Sequence, residues 1–129
     1  MSIDIYVYSY SKSAVKESVR QAWEHQYYVD HVDDILGEIF DQGELMWTER
    51  LSFCWNAFNK LKSEFNITTV CGSSEFAINK EQLTAFKQYI EELDQPTPRD
   101  DWKQRTLEKL QRLIETFDFE SNYLTLHTD

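Results

Sequence analysis

The chain has 129 residues, 41% of them hydrophobic and 15% aromatic, with three Gly and two Pro. That is enough for one domain burying about two-thirds of its surface, and it excludes disordered, collagen-like and low-complexity chains. Thirteen basic residues against 23 acidic ones give a net charge of −10, which disfavours direct binding to a nucleic-acid backbone.

Ile3, Ile5 and Val7 alternate with Tyr6, Tyr8 and Tyr10, so Ile3–Tyr10 reads as a strand with an aliphatic and a tyrosine face. Ser11-Lys12-Ser13 reads as a turn and N-cap cluster. Val15, Val19, Ala22 and Trp23 then predict a helix over Ala14–Gln26, interrupted by Tyr27-Tyr28-Val29. A second helix is expected over Asp30–Gln42. At 100° per residue, Val32, Ile35, Leu36, Ile39 and Phe40 share one arc. Asp30, Asp34, Glu38 and Asp41 share the other, flanked by Asp33, and Gly43 is a good C′ residue.

A third helix is expected from near Thr48. Trp47, Leu51, Cys54, Phe58, Leu61 and Phe65 form its apolar stripe, widened by Trp55, with Phe53 pointing elsewhere. It should be the most buried helix. Ile67–Cys71 reads as a strand closed by Gly72. Asn79 and Gln82 make a capping box, with Ile78 and Leu83 as a hydrophobic staple, for a helix through Leu93. After the Gln95–Pro98 linker, Thr97, Pro98 and Asp100 open a last helix that buries Leu107, Leu110, Leu113, Ile114 and Phe117. Tyr123–His127 alternates as a strand that could return to the sheet. The expected fold is a single α+β domain (1–129) with about five helices packed around a sheet of two to four strands.

Charge is unevenly placed. From Gln21 to Glu49 there are 29 residues without Lys or Arg and with eight acids, so this tract carries −8 of the net −10. Asp30 with Asp34, and Asp34 with Glu38, are like-charge i,i+4 pairs, each unfavourable by a few tenths of a kcal/mol. A face selected only for solubility would mix Lys among its acids. The residues expected to meet a partner are therefore Asp30, Asp33, Asp34, Glu38, Asp41 and Glu44, with Tyr27 and Tyr28 as aromatic anchors. The alternative is an ordinary amphipathic helix with a solvated acidic side.

Other chemistry is sparse. His25, Asp30, His31 and Asp34 could be imagined around a metal, but no H-E-x-x-H, paired C-x-x-C or EF-hand loop accompanies them. Cys71-Gly72-Ser73-Ser74-Glu75 reads as a turn where a nucleophile could sit, without a G-x-S-x-G elbow. No catalytic residue, metal or cofactor is expected. Cys54 and Cys71 read as reduced, buried thiols. The N-terminus lacks a signal-peptide pattern and no apolar run is long enough for a membrane span, so a cytoplasmic location is expected.

Small size, strong and clustered acidity, abundant aromatics and no catalytic motif together resemble the immunity proteins of bacterial toxin–immunity systems, including contact-dependent growth inhibition and the nuclease bacteriocins. The resemblance is one of profile and carries over no individual residue. It implies a cytosolic inhibitor that neutralises a basic toxin domain, such as a nuclease. A phage-type nucleic-acid mimic, a small enzyme with an unfamiliar site and a housekeeping interaction subunit are the competing classes.

Overall fold

In the computed structural model, the described residues are 4–25, 29–30, 43–67, 74–93 and 102–128. They form an α+β fold. The strands are β1 (Asp4–Ser11), β2 (Val29–Asp30), β3 (Glu44–Arg50), β4 (Ser74–Ile78) and β5 (Asn122–Thr128). The helices are α1 (Glu17–Glu24), α2 (Leu51–Glu64), α3 (Lys80–Glu91) and α4 (Trp102–Thr116). All strand pairs are antiparallel, in the order β2-β4-β5-β1-β3. Four long strands and a two-residue edge strand thus slightly exceed the expected sheet. Among the described residues there are four helices rather than five, and the helix expected over Asp30–Gln42 lies outside them apart from Asp30, which is in β2.

Alternation along the strands divides the core in two. Ile5, Val7, Trp47, Phe76, Ile78, Leu124 and Leu126 face a layer built from α2, α3 and α4. Tyr10, Ala77 and Tyr123 face the opposite way, where Val19 and Trp23 of α1 pack on them. The strand expectations at the two chain ends hold, and Tyr123–His127 does return to the sheet, between β1 and β4.

Three boundaries differ from the sequence reading. Trp47 belongs to β3, not to the helix after it, and the chain passes directly from Arg50 into α2. Its four-residue spacing to Leu51 mimics a helical step, but pairing with Val7 across the sheet decides the matter. Ile67 does not begin a strand. Asn66 sits at φ 54°, in the left-handed region, Asn66 N–H donates to Ser63 O (3.4 Å) and Ile67 N–H donates to Lys62 O (2.8 Å). This is a Schellman motif, and Ile67 is the apolar residue buried just past it. Residues 68–71 lie outside the described set, and the strand that is present begins at Ser74. Finally, α1 starts at Glu17 with Lys16 as its N-cap, because Ser11–Ala14 is used as a turn after β1.

The capping box is present: Gln82 N–H donates to Asn79 Oδ1 and Asn79 N–H to Gln82 Oε1, both at 2.8 Å. α3 buries Gln82, Leu83, Phe86, Tyr89 and Ile90, which makes it, not α2, the most buried helix. Cys54, Phe58 and Leu61 of α2 are in the core as expected, whereas Leu51 is only partly buried. Trp55 does not widen the buried stripe; it is 43% exposed, stacked on Phe58 with Lys62 over its ring. Phe53 is covered from a second side by Trp102 of α4, with ring centroids 4.9 Å apart. The buried stripe of α4 is Trp102, Thr106, Leu110 and Leu113, with Leu107, Ile114 and Phe117 at its margin.

Replacement of Phe86, fully buried with its ring edge-on to Trp47 of β3, by Ala is expected to cost about 3–5 kcal/mol. Trp55→Ala should cost about 1 kcal/mol or less, since its ring lies at the surface and is 43% exposed. Urea denaturation of the two variants checks the difference.

Candidate functional site

The residues predicted to bind a partner fall mostly outside the described part of the chain: Tyr27, Tyr28, Asp33, Asp34, Glu38 and Asp41 are not among the described residues. Asp30 is, through its backbone, which pairs with Ser74 at the β2 edge. Glu44 is exposed and pairs with Ser9 at the start of β3, the other edge. The two are four strand spacings apart, about 19 Å. Asp30 and Glu44, both within the acidic tract, therefore lie at opposite edges of one sheet.

Two other acids of the tract serve the fold. Glu24 Oε1 accepts a hydrogen bond from the Tyr123 hydroxyl at 2.8 Å. Glu49 Oε2 accepts one from Thr106 Oγ1 at 3.1 Å, tying β3 to α4. Their charge adds to the field of the tract, but their carboxylates are partly occupied.

What the sequence reading missed is a buried polar cluster on the tyrosine face. Ser74 and Glu75, read as part of a turn, lie in β4, and the Glu75 side chain is 0% exposed. Its Oε2 accepts from the Tyr10 hydroxyl at 3.2 Å, and its Oε1 accepts a short hydrogen bond from Thr125 Oγ1. His127 faces Glu75 from β5 and is itself paired across to Tyr6, on whose ring it stacks with centroids 6.0 Å apart. Tyr8 continues this aromatic row beside Tyr6, also 6.0 Å away. A buried carboxylate without donors would be strongly unfavourable, and the two hydroxyls are among the groups that make this position tolerable. The legible signal was phase. Phe76 and Ile78 are two apart, as are Glu75 and Ala77, so a strand there turns Glu75 toward the tyrosines of β1.

Tyr10 is at the centre of this cluster. Burial, then the neighbouring Glu75 charge and the hydrogen bond to it, hold its phenol well above its ordinary pKa. Trp23 covers one side of the ring at 5.3 Å. Gly43 lies over it elsewhere, and a Cβ built on Gly43 would be 2.8 Å from the ring carbon bearing the hydroxyl.

Among the described residues, the remaining candidates from the sequence bring no reactive group together. His25 is exposed, its Nδ1 2.7 Å from Gln21 O, while His31 and Cys71–Ser73 are not among the described residues. Cys54 is a free thiol in the core, pushed up to about 12 by burial and by Glu49. Among the described residues no group of three or more His, Cys, Asp or Glu could hold a metal ion, and no helix is long and apolar enough to cross a membrane. No protein-family model, curated protein or solved structure matches the chain.

Two measurements check this geometry. The Tyr10 ring cannot swing away from Gly43, since it is packed under Trp23 and bonded to Glu75. Gly43→Ala should therefore destabilise by about 1–3 kcal/mol in urea unfolding. Tyr123, pushed up to about 12 by burial and then by its bond to Glu24, binds its proton more tightly folded than unfolded. Its contribution to stability is complete below its ordinary pKa near 10 and is lost as the pH climbs through about 12. Tyr123→Phe should flatten the fall in stability over that window, and ultraviolet titration of the phenolates should show one fewer late-ionising tyrosine.

Proposed function

We propose that the chain is a binding protein that neutralises a positively charged protein partner, in the manner of an immunity protein holding a basic toxin domain. The observation that carries this reading is the concentration of −8 of the net −10 charge in Gln21–Glu49, with no Lys or Arg among them. The described fold supports it by holding the exposed Glu24 and Glu44 near the two ends of that tract. A nuclease needs a cationic cleft to hold phosphate, and an acidic segment is complementary to it. Long-range attraction of this kind raises association rates toward about 10⁸ M⁻¹ s⁻¹ at low salt. Tyr27 and Tyr28 lie within the tract and supply the anchors whose desolvation slows release. On this reading the protein is an inhibitor that acts by occupying its partner, without chemistry of its own, inside the cell that makes both.

The test is affinity capture from the producing cell's lysate at low salt, eluting with rising salt. A basic protein should elute, and its association with the pure chain should slow as the Debye length falls from about 10 Å at 0.1 M salt to about 3 Å at 1 M. The triple reversal Asp34→Lys, Glu38→Lys, Glu44→Lys should weaken binding by about 2–5 kcal/mol where the charges are desolvated in the complex, with urea unfolding as the control for folding. Unchanged affinity in the reversed variant would show that the acidic tract is only a solvated surface. Elution of a DNA- or RNA-binding enzyme of a competing genome would favour the nucleic-acid mimic.

A further inference from the structure

Between α2 and α3 lies a groove of about 750 Å³, within the size range of ligand sites. Its lining runs from Lys80 to Glu92, along the whole of α3, which is about 18 Å at 1.5 Å per residue. At one end of it the Tyr89 hydroxyl donates a short hydrogen bond to Glu64 Oε2, which ties the ring to both helices. Lys60 of α2 holds its ammonium over that ring, 4.6 Å from the centroid, and donates to Glu92 Oε2 at 3.1 Å. Tyr89 is 7% exposed, whereas the Lys60 and Glu92 side chains are 46% and 54% exposed. Burial first, then the bond to Glu64 and the charges of Glu64 and Glu92, push the Tyr89 phenol up to about 12.

We propose that this groove is a receptor for a lysine side chain of a protein partner, and that Lys60 occupies the receptor in the free chain. The cage is a property of the chain's own geometry; that its lysine comes from a basic partner rests on the proposed function. An aromatic face with a carboxylate at its margin attracts a cation, and two carboxylates act here on a ring that carries one ammonium. The surroundings of Tyr89 therefore keep an excess of negative charge with Lys60 in place. The ring and its bond to Glu64 are fixed, but the Lys60–Glu92 pair faces water, and an exposed ion pair of this kind is weakly held. Lys60 can thus be displaced without dismantling the cage. It is not needed to join the helices, since α2 and α3 already meet in the core that holds Leu61, Phe86 and Ile90. The seat is made for a compact ammonium bonded to one carboxylate oxygen, not for the planar fork of an arginine. A trough as long as α3 suits a side chain still attached to its backbone better than a free amine.

Titration of the full chain followed by NMR at the Tyr89 ring tests the receptor, with n-butylammonium and the peptide acetyl-Ala-Lys-Ala-amide as probes. Both should shift the ring signals, and Lys60→Ala should need about tenfold less of either than the native chain, because the internal competitor is gone. Lys60→Ala combined with Glu92→Gln should lose most of that gain. In the native chain the same titration should return the Lys60 side-chain signals to those of a free lysine, a readout that needs no variant. The same peptide with norleucine in place of lysine should leave the ring signals unmoved. Equal shifts from the norleucine peptide, or no shift from either cation up to about 0.1 M, overturn the inference. Binding of n-butylammonium without the lysine peptide overturns it too, in favour of a free amine. None of these titrations uses the captured partner, so a failed capture leaves the receptor standing, and a failed titration leaves the acidic tract as the proposed binding segment.

Discussion

The sheet is held together by its last strand. β5 lies between β4 and β1, and with β5 removed the described pairings fall into two separate pieces, β2–β4 and β3–β1. Leu124 and Leu126 of β5 complete the apolar face under the three-helix layer, while Tyr123 and Thr125 complete the polar face. Both cores, and the bond from Tyr10 to Glu75 that spans β5, exist only once this strand is in place.

The two faces of the sheet do different physical work. The side under α2, α3 and α4 is dry and aliphatic-aromatic, and its stability comes from area removed from water. The other side is a network of hydroxyls, rings and a carboxylate, where area gives less and direction gives more. Alternation along a strand lets one segment serve both purposes: Ile5 and Val7 feed the first face and Tyr6, Tyr8 and Tyr10 the second.

Elements with strong local signals were readable from the sequence. β1 and β5 alternate cleanly, and the Asn79–Gln82 box marks the start of α3 to the residue. The errors arose where a tertiary partner outweighs a local pattern. Trp47 looks helical by spacing, and only Val7, forty residues away, makes it a strand residue. Ile67 looks like the first residue of a β-branched run, but the left-handed Asn66 before it turns it into a helix stop. Glu75 was the costliest omission: an acid beside Ser and Gly reads as a turn, and its burial depends on hydroxyls from β1 and β5. Of the residues proposed to bind a partner, Glu44 is exposed at the sheet edge, while most of the others lie outside the described chain. Their signal is a charge asymmetry, which belongs to the sequence itself.

The central place of β5 also bears on how the chain is made. Translation proceeds at about 5–20 residues per second, so roughly 3 to 10 seconds separate the synthesis of Ile78 from that of Thr128. For that interval the ribosome-bound chain holds β1 and β4 complete but without the strand that joins them, each with a bare edge and an uncovered apolar side. Folding of the sheet therefore waits on contacts of long sequence separation, and the nascent form that lacks β5 is the one most in need of a chaperone.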